Sequence, residues 1–238
     1  QPLLLGQSYD FHDFQDAHDR FGYSMSLSGD GTIVAVGARG SPSESGSKVH
    51  VYQWRDSEWF PYGAMSGYPK ASILRSPSVG DDDDLHAIKL TRDGRTLVVG
   101  WAGTTTVNLN NHNDFHSYDF THGRGEVRVY DALPIYPVGV RWVQRGDPIL
   151  GETADEQSGA AVSVSDDGNV VVIGSPHATS SAGRLSTGLV RAFTWNGTAW
   201  VQLGATLNGI HMTTTTDGLG ETFGHAVVLS ANGDALAV

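Results

Sequence analysis

The sequence predicts an all-β protein, a β-propeller made of four-stranded antiparallel blades, and three observations support this prediction. A short segment occurs four times in nearly the same form along the 238 residues. Glycine is abundant, at 30 residues, whereas charged residues make up only 17% of the chain, which is typical of a turn-rich β protein. No stretch shows the sustained apolar periodicity of a helix.

The first copy of the segment begins with a strand and a tight turn. Tyr23, Met25 and Leu27 alternate with serines, which is the pattern of a half-buried strand. Asp30-Gly31 follows, and this dipeptide accepts the positive φ angles of a tight hairpin. The pattern therefore predicts a strand that turns sharply into the next one.

The remainder of the first copy predicts three more strands. Residues 33–36 are a continuous apolar run, suited to a strand that is covered on both faces. Residues 48–54 predict a third strand and residues 59–63 a fourth. Four antiparallel strands in each repeated unit make a propeller blade. The same outer hairpin occurs at 126–130 with 142–146, and at 189–195 with 200–204.

The repeat period is long. The turn glycines lie at positions 31, 94, 168 and 233, so that successive copies are 63, 74 and 65 residues apart. WD and kelch units have a period of roughly 40–50 residues. The difference leaves room for long connecting loops.

Short glycine-containing marks open and close the strands. Phe21-Gly22 opens the first strand and Gly37-Ala38 closes the second, and Phe223-Gly224 and Gly174-Ser175-Pro176 take the same places in other copies. These marks resemble the FG-GAP repeats of integrin α-subunit-like propellers. The second copy departs from them, with Leu85-His86 in place of Phe-Gly.

The resemblance implies a ring of about seven blades, of which this chain supplies a part. The last copy stops inside its second strand, so we expect it to start a further blade of a longer protein. The expected division is a closing strand and link at 1–19, a blade at 20–80, a blade at 81–155 with a long insertion at 104–125, a blade at 156–220, and the start of a further blade at 221–238.

The charge balance limits the classes of partner. The net charge is -11, from 15 Lys and Arg against 26 Asp and Glu. An acidic surface argues against nucleic acid and against anionic membranes as partners. No apolar run reaches the roughly 20 residues that span a bilayer, so no membrane insertion is expected in this segment. The absence of cysteine neither supports nor excludes secretion.

The resemblance also implies calcium, because FG-GAP repeats often bind it. A calcium loop of this kind needs several oxygen ligands from one short turn, as in Asp-x-Asp-x-Asp-Gly. The corresponding turns here are 28–31, 91–94, 165–168 and 230–233, and none supplies three alternating carboxylates. We therefore predict ordinary hairpin turns at these places, and calcium stays a candidate cofactor only elsewhere in the chain.

A run of four aspartates, Asp81, Asp82, Asp83 and Asp84, is the better candidate for a metal site. Neighbouring carboxylates repel one another unless they are solvated or neutralised by a cation. A solvated acidic loop is the usual structure of such a run and is the alternative interpretation.

An acidic residue also lies two positions before the opening residue of every copy. These four residues are Asp19, Asp83, Glu156 and Glu221. We predict a structural role, in which the carboxylates accept hydrogen bonds from backbone N–H groups and fix the link between blades. An acidic ring that attracts cations or a basic partner is the alternative.

The insertion at 104–125 is the most distinctive segment of the chain. Imidazoles and carboxylates could gather there around zinc or copper, although a polar surface loop is the favoured interpretation. Variable loops commonly carry partner recognition. The candidate ligands are His112, His116 and His122, and the candidate partner-binding residues are Asn110, His112, Asp114, Phe115, His116 and Tyr118.

Two further features concern the hairpins. Asn196-Gly197-Thr198 is an N-glycosylation motif on a predicted turn, and it favours a secreted or cell-surface protein. Tryptophans recur at hairpin positions, where we predict packing between blades in preference to a sugar-stacking platform. They are Trp54, Trp59, Trp142, Trp195 and Trp200.

The sequence contains no familiar catalytic motif, such as Gly-x-Ser-x-Gly, a phosphate-binding loop or His-Glu-x-x-His. We therefore expect a non-enzymatic, secreted or cell-surface module for adhesion, for binding protein or glycan partners, or for structural assembly, including self-association. Two alternatives stay open. One is a propeller enzyme, hydrolase or lyase, that acts on polysaccharide through axial carboxylates, and the other is an intracellular WD-like scaffold.

Overall fold

The computed structural model describes residues 20–39, 47–63, 73–75, 84–103, 106–107, 120–121, 123–135, 139–154, 156–179, 187–209 and 222–238. All regular elements in these ranges are β-strands, as the sequence predicted. They are β1 (Arg20–Leu27), β2 (Ile33–Arg39), β3 (Lys48–Arg55), β4 (Glu58–Pro61), β5 (Ile73–Arg75), β6 (Asp84–Leu90), β7 (Thr96–Gly103), β8 (Thr106–Val107), β9 (Phe120–Thr121), β10 (Glu126–Ile135), β11 (Gly139–Gln144), β12 (Ile149–Leu150), β13 (Ala161–Val164), β14 (Val170–Ser175), β15 (Leu189–Trp195), β16 (Trp200–Gln202), β17 (Leu207–Asn208), β18 (Val228–Leu229) and β19 (Leu236–Ala237). Within the described ranges there is no helix that could cross a membrane.

Three sheets have the predicted architecture of four antiparallel strands in chain order. The first blade is β1-β2-β3-β4, the second is β6-β7-β10-β11, and the third is β13-β14-β15-β16. In each blade a short extra strand, β5, β12 or β17, pairs with the third strand. The sequence did not predict these extra strands, since two or three residues are too few to show a period. The hairpin β18–β19 follows the third blade, and β8–β9 forms a separate small hairpin.

The first strands of consecutive blades lie side by side. β1 contacts β6, β6 contacts β13, and β13 contacts β18. The hydroxyl of Ser26 accepts a hydrogen bond from the Leu90 N–H at 2.9 Å, and the hydroxyl of Ser163 accepts one from the Leu229 N–H at 3.0 Å. The first strands therefore converge toward the propeller axis, and the fourth strands lie at the rim.

Each blade has a leading face, turned toward the preceding blade, and a trailing face, turned toward the next. Between the first two blades, Ala35, Val49 and Val51 of the trailing face pack with Ile88 and Leu90 of the leading face. Full burial of a valine, leucine or isoleucine side chain contributes about 1.5–3 kcal/mol. The equivalent sets are Val98, Val127 and Val129 with Val162, Val164 and Val171 at the second interface, and Ala161, Val172 and Val190 with Val227 at the third.

The outer hairpin of the second blade is longer than predicted. β10 continues to Ile135, beyond the predicted end at 130, and β11 starts earlier than predicted. The apolar pattern breaks at Asp131, which suggested an end of the strand. The side chain of Arg145 forms an ion pair with this carboxylate, so that the strand passes through the charged position.

Candidate functional site

The turn between the first and second strands of a blade is built around one carboxylate. In the first blade the Ser28 hydroxyl donates to Asp30 Oδ1 at 2.7 Å and accepts from the Ile33 N–H at 2.9 Å. Asp30 Oδ1 also accepts from the Thr32 N–H at 2.9 Å. Gly31 completes the turn at a φ of 74°, which glycine adopts without steric cost. The carboxylate therefore holds the turn closed.

The other three turns repeat this arrangement, and the prediction of hairpin turns is confirmed. The corresponding pairs are Thr91 with Asp93 at 2.7 Å, Ser165 with Asp167 at 2.6 Å, and Ser230 with Asn232 at 2.9 Å. Among the residues that the structure describes, no three His, Cys, Asp or Glu side chains are grouped so that they could hold a metal ion.

Neighbouring turns are joined near the propeller axis. The Gly29 N–H donates to the Arg92 carbonyl at 2.7 Å, and the Asp166 N–H donates to the Ala231 carbonyl at 2.8 Å. These bonds bring the turns together at one end of the converging first strands. They border an open depression of about 490 Å³, which we call the axial depression. Its lining residues are Gly29, Asp30, Arg92, Asp93 and Asp166.

Hydrogen bonds within two of the turns favour the ionised form of the carboxyl group, at Asp30 and at Asp167. Hydrogen bonds from the Ser28 hydroxyl and then from Thr32 lower the pKa of Asp30 below its usual value of 3.8. The Ser165 hydroxyl and then the Asn169 N–H lower the pKa of Asp167 in the same way. A carboxyl group with a lowered pKa cannot serve as a general acid near neutral pH.

We expect the variant with Asp30→Asn and Asp167→Asn to lose less stability in acid than the original chain. The folded-state pKa of each carboxyl lies below the value of 3.8, so its contribution is present above that value and is lost as pH falls through the folded-state pKa. The variant lacks this contribution at every pH. Urea unfolding at a series of acidic pH values measures the difference.

The last turn of the chain already has an asparagine at this position. Asn232 accepts a hydrogen bond from the Ser230 hydroxyl, as the aspartates do in the other turns. Its amide oxygen can replace the accepting carboxylate oxygen while the charge is removed. An identical dependence of unfolding free energy on pH in the variant and the original chain would contradict the lowered pKa values.

The glycosylation motif lies on an exposed turn between β15 and β16. Asn196 Oδ1 accepts from the N–H and the hydroxyl of Thr198, at 2.9 and 3.0 Å, and from the Ala199 N–H at 2.9 Å. Asn196 and Thr198 are both exposed. The motif is therefore accessible from solvent.

Most of the other candidate site residues lie outside the described residues. Asp84 begins β6, at the end of the aspartate run. The remaining candidates outside the described ranges are Asp81, Asp82, Asp83, Asn110, His112, Asp114, Phe115, His116, Tyr118 and His122. The two metal candidates and the partner-binding loop therefore stay predictions.

The structural role predicted for the recurring acid is confirmed at Glu156. Glu156 Oε2 accepts hydrogen bonds from the N–H groups of Glu152 and Thr153, at 2.7 and 3.1 Å. Glu156 Oε1 accepts from the Ser175 hydroxyl at 3.0 Å and forms an ion pair with Arg191 at 2.6 Å. The carboxylate is buried, with a side chain only 1% exposed. The other three acids, Asp19, Asp83 and Glu221, lie outside the described residues.

Two of the hairpin tryptophans join blades, as the sequence predicted. The Trp142 indole N–H donates to the Tyr62 carbonyl of the preceding blade at 3.3 Å, and the Trp200 indole N–H donates to the Arg145 carbonyl at 2.9 Å. Trp59 pairs with Trp54 across its own hairpin, with ring centroids 5.3 Å apart. At the two interfaces the indole therefore serves as a connection between outer strands.

Sequence reasoning missed a charged connection between the second and third blades. Arg145 forms an ion pair with Asp131 and donates through Nη1 to the Gly168 carbonyl at 2.7 Å. The Thr96 hydroxyl also donates to Asp131, at 3.0 Å. A signal existed in the repeat, because Asp131 and Arg145 occupy the positions of Thr194 and Leu203 in the third blade. An acid and a base that appear together in only one copy indicate a pair.

No protein-family model and no curated protein matches the chain. The β-propeller domain of Cps50 (Swd1) from Myceliophteria thermophila is 11% identical, with a TM-score of 0.41, over 86% of this chain and 46% of that domain. A hypothetical selenium-binding protein from Sulfolobus tokodaii is 15% identical, with a TM-score of 0.45, over 82% of this chain and 44% of that one. The chain thus spans less than half the length of either structure, and its own four-stranded antiparallel sheets make it a β-propeller.

Proposed function

We propose that the chain is a non-enzymatic, secreted or cell-surface module for adhesion, ligand binding or structural assembly, built on FG-GAP-like propeller repeats. Its partners are proteins or glycans, and its acidic net charge of -11 disfavours nucleic acid. The loop at 104–125 is the proposed partner-binding segment, because variable loops of a propeller carry recognition.

The observation that supports this proposal best is the hydrogen bonding of Asp30 and Asp93 at the axial depression. Asp30 and Asp93 line the depression, but each accepts hydrogen bonds from its own turn, from Ser28 and Thr32 and from Thr91 and Arg95. Hydrolysis of a glycoside requires two carboxyl groups, of which one is protonated. The lowered pKa of Asp30 is the opposite of what that acid needs.

We expect the protein from its native source to carry an N-linked glycan at Asn196, the single Asn-x-Ser/Thr motif of the chain. The motif lies on an exposed turn, and a secreted protein passes the compartment in which such motifs are modified. Intact mass measurement and peptide mapping across Asn196, before and after treatment with an N-glycosidase, test this expectation.

A matched pair of variants controls the experiment in a eukaryotic secretory host. Thr198→Ser retains the motif and Thr198→Ala removes it, so only the first variant should carry the glycan. Unmodified Asn196 in the native protein would count against a secreted or cell-surface location and would favour the intracellular WD-like scaffold.

The enzyme alternative has one observation in its favour, which is the presence of Asp166 at the same depression. This alternative, a hydrolase or lyase acting on polysaccharide, predicts turnover that disappears in an Asp166→Asn variant. The proposed function predicts no turnover by either protein. Turnover by the original chain that the substitution abolishes would therefore overturn the non-enzymatic proposal.

A further inference from the structure

Three Asn-Gly pairs occur in the chain, and all three asparagines are exposed to solvent. In such a pair the backbone nitrogen of the glycine can attack the side-chain amide carbon of the asparagine, because the two groups are held close together by the chain. A new C–N bond forms and the C–N bond of the amide breaks. The proton of the glycine nitrogen passes to the leaving nitrogen, which departs as ammonia, and water then opens the cyclic succinimide to aspartate or isoaspartate. The pairs are Asn196-Gly197, Asn208-Gly209 and Asn232-Gly233.

The attacking nitrogen is already occupied at two of the three pairs. The Gly209 N–H donates to the Gly188 carbonyl at 3.0 Å, and the Gly233 N–H donates to the Ser230 carbonyl at 2.9 Å. Each nitrogen must give up this hydrogen bond before it can turn toward the side chain and lose its proton. The Asp-Gly turns of the three blades contain the same type of bond, from the N–H groups of Gly31, Gly94 and Gly168.

The pair Asn196-Gly197 is different. It lies on the exposed turn between β15 and β16, and among the residues that the structure describes no acceptor takes a hydrogen bond from the Gly197 N–H. Within the same residues the Nδ2 atom of Asn196 donates no hydrogen bond, whereas Nδ2 of Asn232 donates to Asp234 Oδ2 at 2.7 Å. At Asn196, therefore, no hydrogen bond holds back either the attacking nitrogen or the leaving nitrogen.

The side-chain carbonyl of Asn196 is, by contrast, firmly held. Its Oδ1 accepts from the N–H and the hydroxyl of Thr198, at 2.9 and 3.0 Å, and from the Ala199 N–H at 2.9 Å. Attack on the amide carbon moves negative charge onto this oxygen, and donors that already point at it stabilise the charge, as in an oxyanion hole. The turn thus activates the amide carbon and leaves the glycine nitrogen free to attack it.

We propose that Asn196 is a site of spontaneous deamidation in the chain without a glycan, and that the backbone hydrogen bonds of Gly209 and Gly233 protect Asn208 and Asn232. This inference does not rest on the proposed function, because the reaction needs only the chain and water. It does bear on glycosylation, since Nδ2 of Asn196 is also the atom that would carry an N-linked glycan. Deamidation removes that atom, so a chain that has reacted can no longer be glycosylated.

Peptide mapping by mass spectrometry tests the proposal on the 238-residue chain from a bacterial host that attaches no N-linked glycan. In the folded chain at mildly alkaline pH, aspartate and isoaspartate should form at Asn196 about tenfold or more faster than at Asn208 and Asn232. In urea that unfolds the chain the protecting bonds are lost, so the three rates should become similar. Equal rates in the folded chain would overturn the proposal, and so would a difference that persists unchanged in urea.

A matched pair of variants tests the activating role of the turn. Thr198→Val keeps the branched shape but removes one of the three donors to Oδ1, so deamidation at Asn196 should slow by about threefold or more. Thr206→Val is the control, because Thr206 accepts a hydrogen bond from Gln202 and does not contact Asn196. An unchanged rate in Thr198→Val would overturn the activation by the turn. Isoaspartate identifies the succinimide route, since enzymatic removal of a glycan leaves aspartate alone, and failure of this test would leave the expected glycan of the native protein unaffected.

Discussion

Replacement of Glu156 by glutamine will lower the free energy of unfolding by about 3–5 kcal/mol, the cost of breaking a buried ion pair from one side. The carboxylate uses one oxygen for Arg191 and Ser175 and the other for two backbone N–H groups. An amide of the same size keeps only one accepting oxygen, so its NH₂ group must face donors at one of these two places. Urea unfolding of the variant and the original chain measures the loss.

The neighbouring carboxylate provides a matched control. Glu152 also pairs with Arg191, at 3.1 Å, but its side chain is 65% exposed. An exposed ion pair contributes about 0–1 kcal/mol, so Glu152→Gln should change the stability by no more than that. Equal losses in the two variants would show that the burial of Glu156 is not what makes its ion pair important.

The contrast between Glu156 and Arg191 shows how far the repeat alone can predict a buried pair. The acid recurs at a fixed place before each copy, and this regularity was enough to predict backbone N–H groups as its partners. Its cationic partner was not predicted, although Arg191 occupies a third-strand position that is basic in all three blades, with His50 in the first and Arg128 in the second. Pairing between distant strands is decided by packing that no local pattern records.

The strands and turns of the blades were predictable for a local reason. Alternation, a continuous apolar run and an Asp-Gly turn are each read within a few residues, and they place β1, β2 and the turn at Asp30 where the structure has them. The axial depression was not predictable, because it forms from turns of three successive blades. The bond from the Gly29 N–H to the Arg92 carbonyl joins the first two of these turns, and the contact between β6 and β13 brings the third turn beside them.

Two glycines recur in the repeat, one at the end of the second strand and one at the Phe-Gly position, for a physical reason that the sequence alone did not reveal. A methyl group placed on Gly100, in the second strand of its blade, overlaps the carbonyl oxygen of Gly159 in the next blade. Gly174 meets Gly224 in the same way one interface later. The second copy has Leu85-His86 in place of Phe-Gly, so at the first interface a side chain, that of Leu85, lies against Gly37 instead of a glycine backbone. The two glycines of the repeat are thus contact points between backbones of adjacent blades.

Replacement of Gly100 by alanine should therefore destabilise the protein by about 3 kcal/mol, because the added methyl group meets backbone atoms that cannot rotate away. The interface must open or shift, and Val98, Val127 and Val162 pack together there. The urea-unfolding midpoint measures the loss, with the slope compared to exclude a change in the denatured state.

Gly197→Ala separates this steric effect from the general cost of replacing a glycine. Gly197 has a φ of 100°, and no atom beyond its two chain neighbours lies within 4 Å of the place that the methyl group of an alanine would take. The substitution therefore causes backbone strain of roughly 1 kcal/mol without overlap. Gly100 lies in a regular strand, outside the left-handed region, so backbone strain contributes nothing to its substitution and the loss reports the close approach of the blades. A Gly100→Ala variant that is no less stable than Gly197→Ala would show that the blades can separate at little cost, and the contact between Gly100 and Gly159 would then not be what holds them in register.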